Sequence, residues 1–246
     1  MCFHFSLIST SNKIENRAKA EFINSNVKSS FDTPHFHLNG FEHPVIAIST
    51  MELPDIILPS IWGIAPNNTD PESLDDYYKK ASKYGGGLNA RSEKLQSHFI
   101  YKQVYKSQRC LIWANAFFEP HHFKSKSYPY LIRRRDFNLF ALAGIYTRFK
   151  NGLITCAILT KEAMPYLAEI HNQKKRQPVI LNQNTEQHWL MNDLNETGIF
   201  RIIAENYDDN SLESYPVSKA LQSPKQDSNI PEILKPFNYP ELNTLF

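Results

Sequence analysis

The sequence predicts an α+β fold: an antiparallel, barrel-like β-sheet core with helices on its flanks. Three observations carry that reading. Apolar, β-branched runs recur at 45–49, 56–58, 110–118, 130–133, 139–146 and 153–160. The last four follow one another without helical crossovers, as antiparallel neighbours can and parallel ones cannot. The helical signals are short and lie between and after the runs.

Taken in order, a short apolar start leads to Asn12 and Glu15, a capping-box-like pair opening a helix with an apolar stripe of Ile14, Ala18 and Phe22. The strand runs at 45–49 and 56–58 come next, then a helix at 75–83. Four strand runs occupy 110–160. Further helices are expected at 163–170 and, behind a Thr185 cap, at 186–194. From Gln222 onward Pro, Asn and Ser dominate, so residues 1–221 are expected to form one domain and 222–246 an extended tail over its surface. No internal repeat is visible.

Composition excludes some classes. With 41% hydrophobic and 21% charged residues among 246, the chain is neither disordered nor fibrous, and it can bury a large core. Lys and Arg number 27 against 25 Asp and Glu, so only local clusters could hold a phosphate backbone. Those clusters are 79–83, 133–135 and 174–176, and each alone reads equally as a solvated face. The three cysteines are an odd number, and Cys110 and Cys156 sit in apolar runs, which suits a reducing compartment. No secretory signal or membrane-length apolar run is present, giving a cytoplasmic expectation.

Cys2 carries the most chemistry. Removal of Met1 ahead of a small residue would leave an α-amine and a thiol on one residue. An α-amine has a reference pKa of about 7.7–8.0 against about 10.4 for lysine, so far more of it is unprotonated at neutral pH. It is the better Schiff-base former, and the neighbouring thiol can close on the imine to a five-membered thiazolidine. By position alone, a small residue at a frayed terminus is the commoner explanation.

Further segments change that balance. They are Trp62-Gly63-Ile64-Ala65-Pro66, Leu88-Asn89-Ala90-Arg91-Ser92-Glu93, Arg109-Cys110-Leu111-Ile112 running to Phe117-Phe118-Glu119, and Ala141-Leu142-Ala143-Gly144. Ile158-Leu159-Thr160, Ala168-Glu169-Ile170-His171-Asn172 through Arg176-Gln177-Pro178-Val179-Ile180-Leu181, and Tyr215-Pro216-Val217-Ser218 follow. With Met1-Cys2 they resemble, in order and approximate spacing, the SRAP family of abasic-site shielding proteins along nearly the whole chain to about Ser218.

The resemblance implies a protein that senses abasic sites in single-stranded DNA, as a monomer without cofactor or metal, and bonds to them through Cys2. It also implies lyase and autopeptidase activities. Asn89 would orient the amine, and Glu119 and His171 would handle protons, since ring opening and loss of water need an acid and a base. Arg91 resembles the family's phosphate-gripping arginine, and Trp62 the wall on which a flanking base stacks. Arg176, in the 174–176 cluster, is a further DNA-binding candidate. Each has a plainer explanation: a helix C-terminal cap for His171, a strand end for Glu119, a turn residue for Asn89, a salt bridge for Arg91, a core side chain for Trp62.

The chain departs from the family's commonest pattern. Phe3 and His4 stand where Gly-Arg is usual, and Phe3 would narrow the space beside the nucleophile. Pro120-His121-His122 replaces the tryptophan after Glu119, and Asn115-Ala116 replaces Asp-Gly. One alternative reading is a cysteine-type or N-terminal-nucleophile hydrolase in which His171 activates Cys2, with autocatalytic removal of Met1. Another is a noncatalytic binding module, or a metal site using Cys2, His4, His35, His37, His121 and His122, whose spacing matches no strong ligand pattern.

Overall fold

The computed structural model of the chain describes residues 2–223 and 225–245; Met1, whose removal is expected from the sequence, lies outside the described residues. Among the described residues the strands are β1 His4–Leu7, β2 Glu21–Phe22, β3 His35–Asn39, β4 Val45–Thr50, β5 Ile56–Trp62, β6 Asn89–Arg91, β7 Arg109–Ala114, β8 Ala116–Phe123, β9 Lys126–Arg134, β10 Phe140–Arg148, β11 Ile154–Glu162, β12 Arg176–Pro178 and β13 Leu212–Pro216. The α-helices are α1 Ser11–Ala18, α2 Ser25–Ser30, α3 Leu74–Ala81, α4 Tyr101–Val104, α5 Pro165–Ile170, α6 Gln183–Leu190 and α7 Glu196–Ala204.

The α+β class and the antiparallel sheets are as the sequence predicts. One sheet has the order β13-β9-β8-β1-β3. The other runs β12-β11-β10-β7-β4-β5-β2 and turns back on itself, because β5 also pairs with β11. That closing contact is parallel, as are those of β6 with β11 and β2 with β5, which the sequence did not suggest. The ring strands are almost wholly buried: β10 and β11 each have only their last residue outside the core. Strands enclosed on both faces read as continuous apolar runs, which is why these two were legible.

The apolar run 110–118 is two strands in two sheets. The chain crosses at Asn115, whose Oδ1 accepts from the Ile8 and Ser9 amides at 2.8 and 3.0 Å while its Nδ2 donates to Ser9 Oγ. A buried amide that meets all these partners fixes the corner, and it ties β1 to β8.

Several local expectations need correction. Asn12 lies inside α1, whose N-cap is Thr10, and Glu15 accepts from the Phe22 amide instead of closing a capping box. Phe22 is in a strand. Thr185 is likewise inside α6, with Asn182 at the N-cap.

The C-terminal segment follows the surface of the five-stranded sheet. Asn229 Oδ1 accepts from the Phe36 and His37 amides on edge strand β3, and Ser228 Oγ lies 2.6 Å from His37 Nδ1. Ile233 packs into the cluster of Ala116, Phe118, Leu131, Val217 and Leu221, and Tyr239 meets Tyr128 edge-on. Covering an edge in this way removes a template for unwanted strand pairing.

Candidate functional site

The site begins with strand direction. β1 is antiparallel to β8, with His4 opposite Phe118, so stepping back from His4 to Cys2 advances along β8 towards Glu119. β8 does not end at that carboxylate, as a strand meeting water would. It continues to Phe123 in a hairpin with β9, and Glu119 is 3% exposed.

Asn89 arrives from another direction, on β6 beside β11. The three glycines before it are a conformational device. Gly87 has φ +71°, and a Cβ there would stand 2.5 Å from the Ile64 carbonyl oxygen. Only glycine permits both that backbone and that approach. The turn delivers Asn89 so that its Nδ2 donates to the Cys2 carbonyl at 2.8 Å. Its Oδ1 is enclosed and has no hydrogen-bond partner among the described residues.

His171 stands at the C-cap of α5. Its Nδ1 lies 3.1 Å from Glu119 Oε2 and 3.0 Å from the Arg176 carbonyl oxygen, both acceptors. Two acceptors at one ring nitrogen assign the proton to Nδ1. His171 also lines a small cavity of about 210 Å³ with Phe3, Pro120, His122, Gln173 and Lys174.

Cys2 itself is fully buried. Burial, and after it the charge of Glu119, push its thiol well above the usual range. The thiol is therefore neutral around pH 7 and is not a ready-made thiolate.

Four sequence-nominated residues from four parts of the chain thus meet: Cys2, Asn89, Glu119 and His171. Arg91 is exposed at the end of β6 and makes no ion pair among the described residues. The other two DNA-binding candidates are committed to the fold. Trp62 has no exposed surface, donates Nε1–H to the Leu88 carbonyl at 2.9 Å and packs on Phe5, so it offers no face to a base. Arg176 is 7% exposed, grips Glu93 with both terminal nitrogens and donates to the Thr160 carbonyl, and its Nε is enclosed, so the guanidinium is turned into the fold and away from a phosphate backbone. The 133–135 cluster is also engaged, through Arg133 with Glu213 and Arg134 with Asp136.

The histidines proposed as metal ligands are arranged otherwise. His4 Nδ1 and His37 Nε2 are 2.8 Å apart, a hydrogen bond between rings, and burial lowers both to about 4. Among the described residues no group of three or more His, Cys, Asp or Glu side chains converges as a metal site would require. No helix among them is long and apolar enough to cross a membrane.

The model for SOS response associated peptidase (SRAP) matches residues 1–224. The chain belongs to the SRAP family. It is 31% identical over 179 residues to the abasic site processing protein YoqW of Bacillus subtilis, covering 71% of this chain and 74% of that one. It is 25% identical to the abasic site processing protein YedK of Escherichia coli over 72% of this chain and 74% of that one. Among solved structures, a structural-genomics target from Bacteroides thetaiotaomicron superposes with a TM-score of 0.83 at 25% identity, covering 96% of this chain and all of that one. A Bordetella bronchiseptica protein at 23% identity has a TM-score of 0.71 over 88% of this SRAP chain and all of its own, a likeness of fold alone.

Sequence reasoning did not single out Asn172 or Phe41. Asn172 exchanges two hydrogen bonds with the His122 backbone, and Phe41 packs its ring 4.9 Å from Phe3. Asn172 lies in a segment that carries the family resemblance, but nothing local gives it or Phe41 a role, because each works through a partner distant in the chain.

Proposed function

We propose that this SRAP protein captures abasic sites in single-stranded DNA as a thiazolidine on Cys2, shielding the lesion during the DNA-damage response. The amine freed by loss of Met1 adds to the C1′ aldehyde of the ring-opened sugar. The carbinolamine loses one water to give an imine. The thiol then adds to the imine carbon, its proton passing to nitrogen, so the net reaction joins aldehyde and aminothiol with loss of one water.

The observation that carries this reading is the hydrogen bond from Asn89 to the Cys2 carbonyl, made beside the Glu119–His171 pair. The spare Asn89 Oδ1 is an acceptor suited to an amine N–H. His171 exchanges protons with the sugar and departing water, and Glu119, 3.1 Å from its Nδ1, stabilises the imidazolium that forms. A neutral thiol suits this order of events, in which the amine attacks first. It gives no support to a hydrolase, which needs a thiolate. Arg91 contacts the backbone, and the stacking surface passes from Trp62 to Phe41 and Phe3, of which Phe41 is 47% exposed.

The test is incubation of the full chain with a single-stranded oligonucleotide bearing one abasic site, read on a denaturing gel and by intact mass. Wild type gains a band whose mass is protein without Met1 plus DNA less one water. Cys2→Ala gives no such band yet still binds the DNA noncovalently. An undiminished band from Cys2→Ala overturns the reading.

A further inference from the structure

We propose that His122 is a second recognition element of the lesion pocket, donating Nε2–H to a phosphate oxygen that flanks the abasic sugar, with the Lys174 ammonium beside it. This rests on the abasic-site reading of the adjoining Cys2, Asn89, Glu119 and His171 site, of which His171 also lines this cavity.

His122 is held with care. Its backbone N–H donates to Asn172 Oδ1 at 3.0 Å, and Asn172 Nδ2 returns a bond to the His122 carbonyl at 2.8 Å. Asn172 directly follows His171, so the two imidazoles are fixed relative to one another although far apart in sequence. Both line the 210 Å³ cavity.

The tautomer follows from enclosure. His122 Nδ1 is buried without a hydrogen-bond partner among the described residues. An N–H there would be an unmet buried donor costing about 1–3 kcal/mol, and orphaned buried N–H groups are rarer than under-satisfied acceptors, so the proton is assigned to Nε2. Burial, followed by the charges of His171, His121 and Lys174, lowers the affinity of the ring for a second proton. His122 is thus a neutral donor.

The lining identifies the ligand class. The lining residues, His122 with its neutral N–H, Lys174, Gln173, His171, Phe3 and Pro120, include no carboxylate, although Glu119 lies 3.1 Å from His171 Nδ1. That set favours an oxyanion. The volume is below the roughly 300 Å³ at which pockets begin to take whole drug-sized ligands, so it suits a sugar and an adjoining phosphate rather than a nucleotide with its base.

The experiment measures noncovalent affinity of the full chain for a single strand bearing a tetrahydrofuran analogue, which has no aldehyde, across a range of salt. His122→Ala weakens binding roughly tenfold or more, as expected for a hydrogen bond to a charged group, and leaves the salt slope unchanged. Lys174→Ala reduces that slope by about 0.7, as expected for one phosphate contact on a single strand. His122→Gln, which keeps an N–H donor, recovers part of the affinity and covers the case in which the alanine variant misfolds. Replacing one flanking phosphate by a neutral methylphosphonate removes the difference between wild type and His122→Ala. Equal affinities for wild type, His122→Ala and His122→Gln overturn the proposal, as does a difference that survives neutralising both flanking phosphates. Loss of crosslinking by wild type on true abasic DNA sinks the Cys2 reading alone, because the tetrahydrofuran assay forms no bond.

Discussion

The side-chain amide of Asn89 is divided: Nδ2 is fastened to the Cys2 carbonyl, and Oδ1 is enclosed with no partner among the described residues. A buried acceptor left open in a well-satisfied fold points to a partner that arrives with the reaction. Asn89→Ala should slow crosslinking roughly tenfold or more, the value of one positioning hydrogen bond. Affinity for a tetrahydrofuran-bearing strand should stay within about twofold. Time courses on denaturing gels and anisotropy titrations separate the two effects.

The raised pKa of the Cys2 thiol has a definite sign. Its neutral form is favoured in the fold, so thiolate is scarcer than on an unfolded chain, where a cysteine titrates near about 8.5. The associated stability is present below that value and is lost as pH rises towards the folded pKa. Site-resolved alkylation at mildly alkaline pH should therefore be roughly tenfold or more slower in native protein than in urea. Faster alkylation of the native site would return the hydrolase reading to contention.

Arg91 and Arg176 should respond in opposite ways. Arg91→Ala should reduce DNA affinity and lower the salt slope by about 0.7, with unfolding unchanged to within about 0.5 kcal/mol. Arg176→Ala leaves Glu93 and the Thr160 carbonyl without their guanidinium and should cost on the order of 2 kcal/mol in denaturant unfolding. In the folded fraction its salt slope should match wild type.

Gly87 is the hinge on which Asn89 hangs. Gly87→Ala combines a positive φ with a Cβ driven against the Ile64 carbonyl, and should cost on the order of 2 kcal/mol or more. Because β6 must shift, crosslinking should fall even at temperatures where circular dichroism shows the variant folded.

The sequence made some layers of this molecule legible. β10 and β11 stand out because burial on both faces leaves a pure apolar record. β1 and β3 do not, since His4, His35 and His37 interrupt the pattern; His4 and His37 bond to each other, and His37 also to Ser228, a residue from the far end of the chain. Arg176 illustrates the opposite trap. Lys174, Lys175 and Arg176 look like one basic patch in line, yet β12 begins at Arg176 and turns it inward while the lysines face solvent. Trp62 shows that likeness of motif does not report exposure. The meeting of Cys2, Asn89, Glu119 and His171 could be expected only from resemblance, because tertiary pairing and no spacing rule joins positions so far apart.

The pairing of β1 with β8 bears on how the protein is made. The first strand to leave the ribosome cannot be enclosed until residues 116–118 have followed it, and the imidazole at 171 comes later still. At about 5–20 residues per second, on the order of ten seconds pass before that happens. On the proposed function, that interval is the time in which Met1 can be removed before the strands close over Cys2.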